Sequence, residues 1–329
     1  MRLGLALPHY DTSLAGAPVT WEGIRSAARL AEKGGFSSVW VSDHLFLDWS
    51  KYGGPPDVQG AFECWTTTTA LAASTDRLRI GTLVLNNDLR HPGLVAKMAA
   101  TLDALSGGRL ELGLGAGWYE PEYAAAGIAL AQARERIARL GEATEIVTRL
   151  LTGEELDFHG SFYSVNGALV RPGPVQKPRP PVWLGGKGDR LLRAAAASAD
   201  GWNFSWVGSL ESYRERARAA DAACEQTGRD PATLRRSVGA YVLCGRNDRD
   251  VKRRLERLAE RGWPRPLPDG KDSARSAIAG TPGEVLEALG RLGELGVEEV
   301  VAGLGTVPFE VTDLSDVELV GVEVASALR

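Results

Sequence analysis

LRIGTLVLNNDLRHPGLVAKMAATLDALSGGRLELGLGAG, residues 78–117, decides the fold. It opens on LRIGTLVL, whose branched side chains favour an extended strand. Pro92 then stands where the first turn of a helix tolerates it. Val95, Met98, Leu102 and Leu105 follow at helical spacing. Ser106, Gly107 and Gly108 end that helix, and LELGLGAG reads as a second strand running into a glycine-rich loop. A strand, a helix and a strand in forty residues form the repeating unit of a parallel sheet.

The same unit recurs on both sides. Leu3 to Leu7 is a short apolar run closed by Pro8. Thr20 caps a helix with Ile24, Ala27, Ala28 and Ala31 on one face, and SSVWVSD follows as a strand. A helix over Glu63 to Ala73 precedes the deciding stretch. Ile137, Leu140, Thr144, Val147 and Leu151 mark a helix after it. The pattern then breaks at FHGSFYSVNG (158–167) and RPGPVQKPRPP (171–181), which read as a hairpin and a proline-rich connector. Regularity returns with PVWLGG, the helix DRLLRAAAASA, the strand GWNFSW, a helix through Leu210 to Cys224, the strand SVGAYVLC and a helix near Val251 to Ala259. Thr281 to Glu284 is a capping box, and its helix leads to VEEVVAGL. Eight strand–helix units predict an α/β chain folded as one (β/α)8 TIM barrel over residues 1–329, with an excursion before strand five. An open doubly wound sheet is disfavoured, because its glycine-rich turn belongs after the first strand, which here ends LPHY.

Composition narrows the function classes. The net charge of −4 argues against a nucleic-acid partner, and the arginines of RERIARLGEAT (134–144) alternate with acids, as on a solvated helix face. Three separated cysteines give no disulfide framework and suit a reducing cytoplasm. No signal peptide or membrane span is expected. The four histidines lack metal-ligand spacing, and no GxSxG elbow occurs, so no metal site and no hydrolase triad is expected.

In a barrel the active site lies at the C-terminal ends of the strands. That rule selects Pro8 to Tyr10, Ser42 to His44, Thr82 to Asn87, Gly113 to Glu122, Gly185 to Arg190, Asn203 to Trp206 and Gly303 to Thr306. GLGAG (113–117) lets a backbone approach a flat ligand, though WYEPE follows it and no helix opening. GGKGDR (185–190) combines free amides, a helix N-terminus, Lys187 and Arg190 for an anion; the alternative is that Gly185-Gly186 only makes a tight barrel turn. His44 beside Asp43 is the proton-transfer candidate; the alternative is that the pair is a structural corner. Glu120 and Glu122 are candidate acids, of which Glu120 joins His44 and Asp43 in the catalytic set. Trp118, Trp202 and Trp206 are candidate walls of an aromatic pocket, whereas Trp40 and Trp183 fall within strands and belong to the core.

RLGLALP, AEKGGFSSVWVSDH, LRIGTLVL, HPGLVAKMAATLDALSGGRLELGLGAGWYEPEY, PPVWLGGKGDRLLRAAAASADGWN, RDPATLRRSV and GTPGEVLEAL, in that order, resemble the luciferase-like flavin enzymes, especially their F420-dependent oxidoreductase branch. The resemblance implies a cofactor ring across the strand ends, backed by a bulge with a cis peptide at Leu83-Val84. It implies a cofactor set of Ser42, Thr82, Leu83, Val84, Asn86, Gly115, Gly117, Trp118, Gly185, Gly186, Lys187 and Gly188. The corner Asp43-His44, with Trp49 shortly after it, looks like the one that carries the proton donor in sugar-phosphate-oxidising relatives. Those relatives have an acid where this chain has Trp118, which argues against their substrate. The resemblance further implies F420, or FMN as the alternative, a small-molecule substrate and a homodimer. The expected activity is hydride transfer between F420 and a small organic molecule. An FMN-dependent monooxygenase and a non-catalytic flavin-binding protein are the alternatives. The irregular stretches 45–62, 153–180 and 262–279 are expected to wall the substrate, with 263–276 as a candidate lid.

Overall fold

The structure is a computed structural model that describes residues 1–54, 56–261 and 277–328. Eight parallel strands close on themselves: β1 (Arg2–Ala6), β2 (Ser38–Val41), β3 (Arg79–Thr82), β4 (Leu110–Gly115), β5 (Val182–Gly185), β6 (Gly201–Phe204), β7 (Arg235–Cys244) and β8 (Glu299–Gly303). Each pairs with its neighbours in chain order, and β8 returns to β1 with Leu3 opposite Val300. This is the TIM barrel that the strand–helix period announces.

Each helix begins where the sequence gives it a cap. Thr20 Oγ1 accepts the Gly23 N–H ahead of α1 (Trp21–Gly34). Glu63 accepts two amides ahead of α2 (Cys64–Ser74), and His91 caps α3 (Pro92–Ser106). In α3 the buried face is Val95, Ala99, Leu102 and Ser106, one step off the expected stripe, and Leu105 is exposed. Beyond β4 come a short helix α4 (Glu120–Ala125) and the long α5 (Ala133–Leu151). The remaining helices are α6 (Asp189–Ser198), α7 (Leu210–Gln226), α8 (Asp248–Glu260), α9 (Pro282–Glu294) and α10 (Leu314–Val320).

Four features depart from the sequence reading. A helix does open in WYEPE, with Pro121 in its first turn. Residues 46–48 and 58–60 form a small antiparallel pair inside a stretch expected to be irregular. Ala277–Gly280 is a short strand that pairs in parallel with the end of β7, beyond the contact of β7 with β8. The expected hairpin, Leu156–His159 with Ser164–Ala168, does form. It packs on α5 outside the barrel, where Glu142 accepts the amides of Ser161, Phe162 and Tyr163, and its residues do not line the cavity at the strand ends. The candidate lid 263–276 lies outside the described residues.

Strand alternation produces two cores. Leu3, Leu5, Val39, Ile80, Leu112, Leu184, Val238 and Val300 face the helices. Inside the barrel, Trp40 packs against Gly81 and Trp183 against Gly201, each so closely that a Cβ on the glycine would overlap the indole. Both tryptophans are therefore core, as their strand positions imply. Below them, at the N-terminal end, lies a buried charge cluster. Glu111 accepts from Trp183 Nε1 at 2.7 Å, from Arg2 Nη1 at 3.3 Å and from Arg79 Nε. Arg2 Nη2 lies 2.6 Å from Glu299, which also receives Ser38 and Trp40. Burial and the neighbouring Glu111 push the Glu299 carboxyl above its ordinary range despite Arg2. Glu111→Leu removes the shared counter-charge of two arginines, so it should lower stability by about 3 kcal/mol, read as a shifted urea midpoint.

Candidate active site

The strand ends surround a cavity of about 360 Å³, a size that suits a small molecule or part of a cofactor. Its wall draws on the residues that follow β1 to β6 and β8. Ser42, Leu83, Val84, Asn86, Gly115, Gly117, Trp118, Gly185, Gly186, Lys187 and Gly188 all line it, as do Asp43 and His44. Thr82 does not. It is fully buried, and its hydroxyl braces β3 to β4 through the backbone of Gly113.

Val84 is the ridge on one side. The Leu83-Val84 peptide is cis, as the resemblance implies, and so is Ser205-Trp206, which sequence reasoning missed. A Cβ on Gly115 would sit 2.2 Å from Val84 Cγ2, and one on Gly185 2.6 Å from Val84 Cγ1. These glycines make room for the protein's own bulge. Gly115 and Gly117 of the GLGAG stretch border the cavity beside that bulge.

The Gly185-Gly186 turn leads into α6, whose cap residue, Gly188, contributes no side-chain hydrogen bond. The Gly186 amide donates to Asn203 O, and the Gly186 carbonyl accepts from Trp202 Nε1 at 2.7 Å. An anion here would therefore meet the first amides of α6. Trp202 is fully buried behind the turn, stacked on Tyr213, and is no pocket wall. Lys187 Nζ lies 4.5 Å from the centre of the Phe204 ring and donates to Trp206 O. Desolvation there holds its pKa below the usual lysine value. Arg136 of α5 also reaches the cavity, donating to Gly117 O and Ala131 O. The alternating charges of RERIARLGEAT had suggested a solvated face. Arg136 breaks that reading because α5 passes over the mouth.

Asp43 and His44 have separate fates. Asp43 is buried, accepting from Arg90 Nη1 at 2.6 Å and from the Asn86 amide at 2.8 Å. Burial outweighs Arg90 and leaves its carboxyl above its ordinary value. It is the structural corner between β2 and β3. His44 Nδ1 lies 3.0 Å and 3.2 Å from the two carboxylate oxygens of Glu122. Glu122 also accepts the Leu45 amide and is 1% exposed. Glu120 is exposed at the start of α4 and does not line the cavity. The acid beside His44 is therefore Glu122. The signal was Pro121: a helix starting there places Glu122, and not Glu120, on its inner side.

Aromatic rings close the remainder. Trp118 is edge-on to His44 and to Tyr52, and Trp206 stacks on Tyr241 and meets Phe309 edge-on. Burial pushes the Tyr52 hydroxyl up to about 12. Trp49 is buried behind Tyr10. At the end of β1, His9 is completely buried, with Nδ1 2.9 Å from Leu7 O and Nε2 3.0 Å from Ser42 Oγ. Tyr10 Oη lies 2.7 Å from the same Ser42 oxygen. Among the described residues no cluster of His, Cys, Asp and Glu is arranged to hold a metal, and no helix is long and apolar enough to cross a membrane.

The model of the luciferase-like monooxygenase family matches residues 1–299. An F420-dependent glucose-6-phosphate dehydrogenase of Microbacterium testaceum is 37% identical over 61% of this chain and 57% of its own. An FMNH(2)-dependent dimethylsulfone monooxygenase of Pseudomonas putida is 25% identical over 85% of this chain and 82% of its own. The chain spans about three fifths of the length of several curated relatives that it matches. The coenzyme F420-dependent tetrahydromethanopterin reductase of Methanopyrus kandleri shares the fold, with a TM-score of 0.75 at 20% identity over 100% of this chain and 99% of that one.

Burial pushes the His9 imidazole down to about 4. The folded state therefore prefers neutral His9, a preference worth on the order of 3 kcal/mol at neutral pH. That stability is present above about pH 6.5, the unfolded value, and is lost as pH falls toward 4. Urea melts at pH 7, 5.5 and 4.5 should show a loss in the wild type that is smaller in His9→Gln.

Proposed function

The chain belongs to the luciferase-like monooxygenase family, and from that premise we propose that it is an oxidoreductase transferring a hydride between coenzyme F420 and a small organic molecule. The observation that carries this reading is the His44–Glu122 pair on the cavity wall. A carboxylate only accepts, so Nδ1 keeps its hydrogen and Nε2 is the nitrogen left to meet a substrate. Glu122 also stabilises the imidazolium that forms when Nε2 takes a proton. Such a group can remove a proton from a substrate oxygen as carbon loses hydride, or return it in the reverse direction.

The remaining residues suit the cofactor. Val84 and Leu83 offer an apolar ridge for a ring. The uncapped start of α6, with Lys187 and Arg136 on the same cavity, suits an anionic tail. When bound, F420 supplies a two-electron hydride carrier and does not activate oxygen. The aromatic wall of Trp118, Tyr52, Trp206 and Phe309 excludes water and favours a substrate with apolar surface.

An FMN-dependent monooxygenase is the second reading, favoured by the longer match to the dimethylsulfone enzyme. Fluorescence titration of the purified protein decides between them. Tight binding of F420 without comparable FMN binding is expected. Tight binding of FMN alone, with substrate-coupled oxygen uptake, would reverse the assignment.

His44→Ala should lower kcat about 100- to 10,000-fold with little change in cofactor affinity. Unchanged turnover would remove His44 from the chemistry. Glu122→Gln should lower kcat less than His44→Ala does, because the amide can still hold the ring but carries no charge opposite the imidazolium. Steady-state kinetics of the two variants test that ordering.

A further inference from the structure

We propose that Tyr10 and Ser42 form a hydrogen-bond-accepting edge of the cavity, locked in that polarity by His9, and that this edge receives an N–H or O–H group of the bound ligand. The inference deepens the preceding reading and rests on it for the ligand's identity, either the cofactor ring or the substrate.

The polarity follows from counting hydrogens. Leu7 O is a carbonyl and only accepts, so His9 Nδ1, at 2.9 Å, carries the hydrogen. His9 is completely buried with no acid against it, so its ring holds a single N–H. Nε2 is then a lone pair, and Ser42 Oγ at 3.0 Å must donate to it. A serine hydroxyl has one hydrogen, so Ser42 can only accept from Tyr10 Oη at 2.7 Å. The Tyr10 hydrogen is spent in its turn. Both oxygens belong to residues on the cavity wall, and both are left with lone pairs alone. The chain ends on a backbone carbonyl inside the barrel and not in solvent. It fixes an orientation and does not carry protons away.

A buried acceptor without a partner is costly, and a ligand donor removes that cost. A carbonyl or ether oxygen placed against the same edge meets only lone pairs and is disfavoured. His9 thus acts as a positioning residue. It touches no ligand but decides which ligand atoms the edge accepts. Two sources share the required chemistry: the ring imide N–H of a flavin or deazaflavin, and a substrate hydroxyl.

The test has two parts, both on the protein without cofactor. Long-range 15N–1H correlation with 15N-histidine at pH 7 reads the His9 tautomer, with His44→Asn, His91→Gln and His159→Gln assigning the other signals. The expected result is the Nδ1–H form. An Nε2–H form or an imidazolium overturns the proposal. Affinities are then measured by NMR titration for two probe pairs, cyclohexanol with cyclohexanone, and FMN with 3-methyl-FMN, in wild type and in Tyr10→Phe. The expected result is that Tyr10→Phe weakens the donor-bearing member of one pair about tenfold and leaves its partner unchanged. A response confined to the alcohol pair identifies a substrate hydroxyl, and one confined to the FMN pair identifies the ring imide. No donor preference in either pair, or equal losses for both members, overturns the proposal. If neither F420 nor FMN binds, the cofactor assignment fails, while the tautomer and the alcohol pair still decide the edge.

Discussion

A closed parallel sheet must fill its own interior, and this one does so unevenly. At the N-terminal end and middle, Trp40 and Trp183 occupy the volume left by Gly81 and Gly201, over the Glu111–Arg79–Arg2–Glu299 cluster. Two indoles across two glycines make a solid plug, and their N–H groups find partners in the buried carboxylates. Above the plug the inward positions are small: Gly113, Gly115, Gly185 and Gly239. The volume there is divided between the Val84 bulge, the Trp206 ring and the cavity. Depth, width and location of the cavity thus follow from where large and small residues alternate along the strands.

The strands and helices were legible because their signals are local. Period-two runs, caps at Thr20 and Thr281, and glycine stops at Gly35 and Gly107 act within a few residues. The strand-end rule places most of the cavity wall from sequence alone. Less legible was the direction of each side chain once the chain leaves a strand. Asp43 and His44 are consecutive, yet one turns to Arg90 and the other to Glu122, 47 and 78 residues away in sequence. Glu120 and Glu122 differ by a fraction of a helical turn that only the start of α4 settles. Arg136 carries no local mark, because its use depends on α5 crossing the mouth. Trp202 and Trp206 lie four residues apart beside one strand, but the first stacks outward on Tyr213 and the second inward on Tyr241. The bulge at Leu83-Val84 came from resemblance and not from spacing.

His9 and His44 show how one residue type acquires two characters from its surroundings. Both follow neighbouring strands, β1 and β2, and both have Nδ1 held by an oxygen. For His9 that oxygen is a neutral carbonyl, burial is complete, and the imidazole is kept uncharged well below neutral pH. For His44 it is a carboxylate, and the ring borders the cavity. A carbonyl fixes a tautomer without favouring charge, whereas a carboxylate fixes the same tautomer and makes a second proton welcome. The first arrangement suits an element that must not change state during turnover. The second suits a group that must.

These two histidines also define opposite demands on a bound molecule. In its neutral form His44 would offer a lone pair to the cavity, as the Tyr10–Ser42 edge is proposed to do, and a ligand would satisfy both with hydrogens of its own. Once His44 gains a proton its Nε2 becomes a donor, while the edge, tied to the Leu7 carbonyl, stays an acceptor. One side of the cavity can therefore invert its hydrogen-bond polarity and the other cannot. On the proposed mechanism, proton transfer at His44 would change what is bound best at one position and leave the grip at the other intact. That asymmetry is what a site needs if it is to tell a substrate from its product while holding both in register.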